Sequence, residues 1–313
     1  MHTLEPVAST STPTRRPRPS RGPAGEGMCA PVHAHRAANG MPPAVLSIAG
    51  SDCSGGAGIQ ADIKTMMACG AYAMTAITAI TAQNTTGVAA VQPTSPDMMG
   101  RQIDAVFEDI EPRATKIGMI PNRDLIAVIA ERLHRHHAAC VVLDTVMVSS
   151  SGTRLIDASA VTAMAEELFP LATLITPNIP ETEVLLGRDP GAIRTHEDMQ
   201  DAGTALARRY GCAVLVKGGH HAGTADDALV RGEICTWMRG ARVNTTNTHG
   251  TGCTLSSAIA SHLAFGETLY DAVRHAKDYL TGCLSTGLDL GHGSGPLDHA
   301  WPWIGERPYH TAG

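Results

Sequence analysis

The sequence predicts an α/β domain, a mainly parallel central sheet with helices on both faces. Three observations carry that expectation. Short runs that are apolar up to a terminal charged residue, at 140–144 and 213–217, alternate with longer segments patterned at helical spacing. Polar and glycine-rich clusters fall where the apolar runs end, at Gly50-Ser51-Asp52, Gln83-Asn84, Gly118-Met119, Asp144-Thr145, Asn178 and Lys217-Gly218-Gly219. That edge of a parallel sheet is where ligands bind. No internal repeat is visible, so the alternation describes one domain.

From residue 44 the elements are expected in the following order. Residues 44–49 make a short apolar strand, and 58–69 a helix after a glycine turn. A strand at 72–81 and a helix at 96–109 follow, then a strand at 114–118 and a helix at 125–135. The strand at 140–144 ends on a carboxylate. A helix at 158–168, a strand at 172–176, a helix at 197–210 and a strand at 213–217 continue the alternation. Residues 228–231 and 233–238 form a hairpin about Gly232, and helices at 253–265 and 269–284 close the sequence.

Residues 1–42 are different material. Pro6, Pro13, Pro17, Pro19, Pro23 and Pro31 stand among Ser, Thr, Arg and Gly with no hydrophobic period. Such a segment buries too little apolar surface to offset its ordering entropy, so disorder is expected. Arg15-Arg16 lacks the apolar stretch of a twin-arginine signal. The expected division is an extension at 1–42, an α/β domain at 43–305 and a tail at 306–313.

Composition removes several classes of function. A net charge of -6 and an aromatic content of 4% argue against a nucleic-acid partner, which needs basic surface or stacking platforms. No apolar run is long enough to span a bilayer. The eight cysteines include no C-x-x-C pair, so a structural zinc site has no support. Cys69, Cys140 and Cys212 lie in apolar runs and read as core thiols. Free thiols in this number suggest a reducing cytoplasm.

The chemistry concentrates at Asn247–Ser256, N-T-H-G-T-G-C-T-L-S, just before a helical pattern. Glycines allow a tight turn, and the partnerless amides of a helix's first turn attract phosphate. Gly250, Thr251 and Gly252 are the expected anion hole, with Cys253 inside it as a candidate base. A helix N-terminus is expected to lower that thiol's pKa. Other phosphate devices are excluded: no Gly-Lys pair exists for a Walker loop, and Gly50–Gly58 lacks dinucleotide spacing.

Further candidates follow from residue type and position. Gln83 ends a strand, where a carboxamide offers donor and acceptor side by side, or is an ordinary strand-end polar residue. Asn178-x-x-Glu181 supplies oxygen ligands suited to Mg²⁺, or simply the opening of a helix. Asp144 is able to assist the metal or to satisfy strand-end amides. Lys217 precedes two glycines and suits nucleotide phosphates.

Eight segments in order resemble one family. They are S-I-A-G-S-D-C-S-G-G-A-G-I-Q-A-D from Ser47, T-A-Q-N-T from Thr81, K-I-G-M from Lys116 and V-L-D-T-V-M from Val142. T-P-N-I-P-E from Thr176, V-K-G-G-H from Val216, the Asn247–Ser256 segment and G-H-G-S-G-P from Gly291 complete the set. The chain resembles the hydroxymethylpyrimidine/phosphomethylpyrimidine kinases of thiamine biosynthesis, over roughly residues 44–301. The resemblance implies a ribokinase-like three-layer sandwich, ATP and Mg²⁺ as cofactors, a small pyrimidine substrate phosphorylated twice, and a homodimer. It implies a pyrimidine pocket of Gly50, Asp62, Gln83, Met119 and Val146. ATP contacts at Lys217, Asn178 and Thr248, and metal ligands at Glu181 and Asp144, follow likewise.

Read without the family, Asp62 is a helix-surface carboxylate and Met119 and Val146 are core residues. Cys53 departs from the family, which usually has proline there; the loop is expected to be more mobile or oxidation-sensitive. A pyridoxal kinase of the same branch and a non-catalytic pyrimidine-binding regulator remain as alternatives. Cys253, where sugar kinases of the superfamily carry aspartate, argues against a sugar substrate.

Overall fold

The computed structural model describes residues 40–147, 156, 158–219 and 224–302. The expected disorder at 1–42 and the tail at 306–313 lie outside the described residues, apart from 40–42.

The described strands are β1 (Ala44–Asp52), β2 (Tyr72–Asn84), β3 (Gly87–Pro93), β4 (Ala114–Ile117), β5 (Val141–Leu143), β6 (Leu174–Ile175), β7 (Ala213–Val216), β8 (Asp227–Arg231) and β9 (Ile234–Met238). They form one sheet in the order β3-β2-β1-β4-β5-β6-β7-β8-β9. Pairing from β2 through β7 is parallel, while β3, β8 and β9 pair antiparallel at the two edges.

Alternate residues of the central strands enter opposite layers, as the strand period of two requires. Leu46, Ile48, Val141, Leu143, Val214 and Val216 face one core, and Val45, Val142, Ala213 and Leu215 the other. Helices α2 (Pro96–Asp109), α3 (Arg123–Arg135), α4 (Ala158–Ala163) and α6 (His196–Tyr210) supply the first layer. Helix α5 (Ile179–Leu186) joins that layer through Ile179 and Leu185. Helices α1 (Gly58–Ala68), α7 (Thr251–Ala264) and α8 (Leu269–Ser285) supply the second.

Three differences from the sequence expectation have local causes. The run at 87–93 pairs with β2 as an edge strand, after Asn84 Oδ1 accepts from the Thr86 and Gly87 amides at 2.9 and 3.2 Å. Helix α5 begins where the Asn178–Glu181 capping box satisfies its first amides. The segment expected as one helix at 158–168 relaxes into a π turn at Met164–Leu168.

The cysteine reading changes as well. Cys212 is buried, whereas Cys69 is half-buried. Cys140 is half-buried in left-handed backbone (φ 49) and packs against the second core.

Candidate active site

Five strands deliver polar residues to the same edge of the sheet. β1 ends on Asp52 and β2 on Gln83-Asn84; Gly118-Met119 follow β4, Asp144 follows β5 and Lys217 follows β7. A cavity of 770 Å³ opens there, lined by Gly50, Gln83, Met119, Asp144, Val146, Asn178, Glu181, Lys217, Thr248 and the Gly250–Cys253 turn. Every site residue expected from the sequence borders it except Asp62.

The turn before α7 depends on two close approaches. Gly250 adopts φ +87, and a Cβ there would lie 2.0 Å from the Gly56 carbonyl. A Cβ on Gly56 would in turn meet the His249 ring at 2.3 Å. Only glycine tolerates both conditions, so the 53–58 loop closes directly on the start of α7. That helix has no side-chain cap; the Thr251 amide donates to the Thr248 carbonyl at 3.3 Å, and the Gly252 and Cys253 amides are the ones that face an anion.

Cys253 stands in this first turn, but its acidity runs opposite to the sequence expectation. Burial pushes the thiol up to about 11, and the charges of Asp62 and Asp144 add to that rise. Lys116 and the Gly58 backbone N–H pull it down without cancelling it. Desolvation of the thiolate is the largest of these effects and sets the direction.

Asp144, Glu181 and Lys217 form a buried charge cluster. Lys217 Nζ donates to Asp144 Oδ1 at 2.9 Å, and Thr176 Oγ1 donates to the same oxygen at 3.1 Å. Glu181 Oε2 accepts from Thr145 Oγ1 at 2.8 Å and from the Asn178 amide at 3.0 Å. Asn178 Oδ1 accepts in return from the Glu181 amide at 2.8 Å. The N-x-x-E pattern is thus a capping box whose glutamate also faces the cavity. Burial raises the Glu181 carboxyl; Lys217 opposes the rise and Asp144 adds to it. Burial lowers the Lys217 ammonium, yet Asp144 and Glu181 together carry it above its ordinary value.

Asp144 Oδ2 is buried and has no hydrogen-bond partner among the described residues. A Cβ on Gly252 would sit 2.7 Å from it, so this oxygen faces the α7 turn across a gap that glycine keeps open. An orphaned carboxylate oxygen beside a second carboxylate fits a hard divalent cation.

At the other group of residues, Gly50 lies under Met119: a Cβ on Gly50 would be 2.6 Å from the Met119 methyl. Two residues not singled out from the sequence, Asp52 and His249, organise the Gln83 side chain. His249 Nε2 lies 2.8 Å from Asp52 Oδ2 and 3.3 Å from the Gln83 carboxamide, with both His249 and Asp52 buried. Asp52 also accepts from the Ser54 amide at 2.9 Å and the Ala57 amide at 2.8 Å. Burial raises the Asp52 carboxyl, but the bonds from His249, Ser54 and Ala57 prevail and hold it at about 2. Asp52 belonged to a strand-end cluster and His249 to the Asn247–Ser256 segment, both legible in sequence; nothing local marked their pairing across 197 residues. Cys53 is exposed, and its Sγ donates to the Gln83 carbonyl at 3.1 Å, which ties the loop to β2.

Asp62 is corrected by the structure. It is fully buried, neither on the helix surface nor on the cavity wall. Its carboxylate accepts from Lys116 Nζ at 2.8 Å, Ser47 Oγ at 2.5 Å and Ser257 Oγ at 2.7 Å. It joins α1, β1, β4 and α7.

A protein-family model described as phosphomethylpyrimidine kinase matches residues 52–298. The chain is 48% identical over 262 residues to a hydroxymethylpyrimidine/phosphomethylpyrimidine kinase of Rhizobium meliloti, across 82% of this chain and 97% of that one. Among solved structures it resembles phosphomethylpyrimidine kinase from Clostridium difficile, with TM-score 0.68 and 45% identity over 76% of this chain and 98% of the other. It also resembles a pyridoxal kinase from Staphylococcus aureus in complex with AMP-PCP, with TM-score 0.77 and 31% identity over 84% and 95% of the two chains.

Proposed function

The chain belongs to the phosphomethylpyrimidine kinase family, and on that footing we propose how its cleft carries the reaction. The enzyme phosphorylates 4-amino-5-hydroxymethyl-2-methylpyrimidine from ATP, first to the monophosphate and then to the diphosphate, for thiamine biosynthesis. One observation supports the assignment of parts: Gln83, Cys253, Lys217 and Asp144 line the same cavity.

Gln83 reads the aminopyrimidine edge through its paired donor and acceptor, while Gly50, Met119 and Val146 enclose the ring. The Gly252 and Cys253 amides hold the charge of the transferred phosphoryl group. Lys217, Asn178 and Thr248 contact the nucleotide phosphates. Cys253 holds the reacting hydroxyl in line. With its thiol raised to about 11, only its thiolate fraction takes the hydroxyl proton as the new O–P bond forms and the bond from the γ-phosphorus to the bridging oxygen breaks, releasing ADP. Phosphoryl transfer is mainly positioning and charge stabilisation, so that small fraction is compatible with turnover.

Asp144 and Glu181 are the residues that would hold Mg²⁺, with Asp144 Oδ2 as the free ligand atom. When bound, the ion would neutralise charge on the nucleotide phosphates. We place the catalytic unit at 43–305, acting as a cytoplasmic homodimer. No helix among the described residues is long and apolar enough to cross a membrane.

The test is purified protein with Mg·ATP and each pyrimidine, followed by ADP release and phosphorus NMR. Conversion through both steps supports the proposal, and no ADP with either pyrimidine overturns it. Pyridoxal in parallel separates the related activity: a higher kcat/KM for pyridoxal would move the chain to that function. A light-scattering mass of one chain would remove the homodimer.

A further inference from the structure

The Gln83 carboxamide has two polar contacts whose donors and acceptors can be counted. As placed, its Nε2 lies 3.3 Å from His249 Nε2 and its Oε1 lies 3.2 Å from Thr81 Oγ1; hydrogen-bond polarity assigns the two atoms the other way round. Asp52, held at about 2, is a carboxylate at neutral pH and only accepts. Its 2.8 Å contact with His249 Nε2 therefore requires that this nitrogen carry the proton. A protonated Nε2 cannot accept from a carboxamide N–H. Thr81 has one hydroxyl proton, and the Ser51 carbonyl accepts it at 2.9 Å. Its oxygen retains lone pairs and serves the carboxamide best as an acceptor.

Both constraints give the same answer, because the two ends of a carboxamide are distinguished by their partners. We infer that His249, anchored by Asp52, is a positioning residue that turns the Gln83 carboxamide oxygen toward itself and the NH₂ toward Thr81. This inference rests on Gln83 being the pyrimidine contact. In this arrangement His249 Nε2–H is shared between Asp52 and the Gln83 oxygen, and one Gln83 N–H goes to Thr81. One oxygen lone pair and one N–H remain for the ligand, in a fixed order. A ring nitrogen beside an exocyclic amine meets that order in one orientation, which sets how the hydroxymethyl arm lies relative to Cys253. Reversing the carboxamide would place donor against donor, and a buried mismatch of that kind discriminates strongly. The substrate preference of Gln83 is thus imposed from 166 residues away along the chain.

A double-mutant cycle tests this, with KM for the hydroxymethylpyrimidine and for ATP as the readout. His249→Leu removes the donor at similar bulk, while His249→Gln keeps an N–H near the position of Nε2. The expected result is a pyrimidine KM raised about tenfold or more in His249→Leu, ATP KM unchanged, and most of the loss recovered in His249→Gln. In a Gln83→Ala background, His249→Leu should add little further change. If Gln83→Ala alone leaves the pyrimidine KM unaltered, the pyrimidine-contact reading fails and this inference falls with it. If Gln83→Ala raises KM but the two losses multiply, or His249→Gln is as impaired as His249→Leu, the positioning role alone is overturned.

Discussion

Lys217 Nζ stands 2.9 Å from Asp144 Oδ1, while Asp144 Oδ2, equally buried, has no partner among the described residues. The lysine neutralises the acid pair on one side and leaves a lone pair open on the other. Asp144→Asn keeps the shape and removes the charge that the proposed cation needs. It should raise the Mg²⁺ concentration for half-maximal rate by about 10–100-fold, the range seen when metal-site supports are removed. A Mg²⁺ titration of ADP release measures this, and an unchanged midpoint would remove Asp144 from the metal site.

Cys253 is predicted to be a poor nucleophile in the ligand-free enzyme, because burial raises its thiol to about 11. Alkylation of the Cys253 peptide, followed by mass spectrometry, should be slow at pH 7 and should accelerate through the alkaline range. Rapid labelling with an inflection near neutrality would contradict that. Cys253→Ala should lower kcat by about 10²–10⁴-fold if the thiolate fraction acts as base, with ATP KM little changed.

The Asp52 carboxyl falls from 3.8 to about 2 on folding, so between those values the unfolded chain binds more protons than the native one. Stability from this group is complete above the unfolded value and is lost as pH falls toward about 2. Urea unfolding across that window should show a steeper acid loss in the wild type than in Asp52→Asn. Parallel curves would mean that His249, Ser54 and Ala57 do not hold the carboxylate as described.

Lys116 and Asp62 make an ion pair with both side chains at 0% exposure. Removing one partner leaves an uncompensated buried charge, so Lys116→Met should cost about 3–5 kcal/mol of stability. Lys116→Met with Asp62→Asn should recover a substantial part. Both are read from urea midpoints, and equal losses in the two variants would indicate that packing, not charge, sets the cost.

Legibility in the sequence followed the range of the interactions involved. Lys217, Gln83 and the Gly250–Cys253 turn stand at strand ends or a helix start, which local patterning locates. β3 escaped notice because Val-Ala-Ala-Val is a weak, exposed edge strand with a single partner. α5 was legible only as a helix opening at Asn178-x-x-Glu181, because its 8 residues are too few for a clear period and its capping box doubles as the N-x-x-E pattern. Asp62 was misplaced because the partners that bury it lie 15, 54 and 195 residues away.

By itself the sequence determined the order of strands and helices, the glycine turn before α7 and the family to which these motifs point. Those rest on periodicity, on backbone freedom at glycine and on residue types at fixed spacing, all of which are local along the chain. Only the tertiary structure decided the electrostatics. It buried Cys253 enough to raise its thiol, sealed Asp62 against Lys116, left Asp144 Oδ2 open and set His249 between Asp52 and Gln83. Desolvation and hydrogen-bond polarity depend on what surrounds a group in three dimensions, and residues close in space here are far apart in sequence.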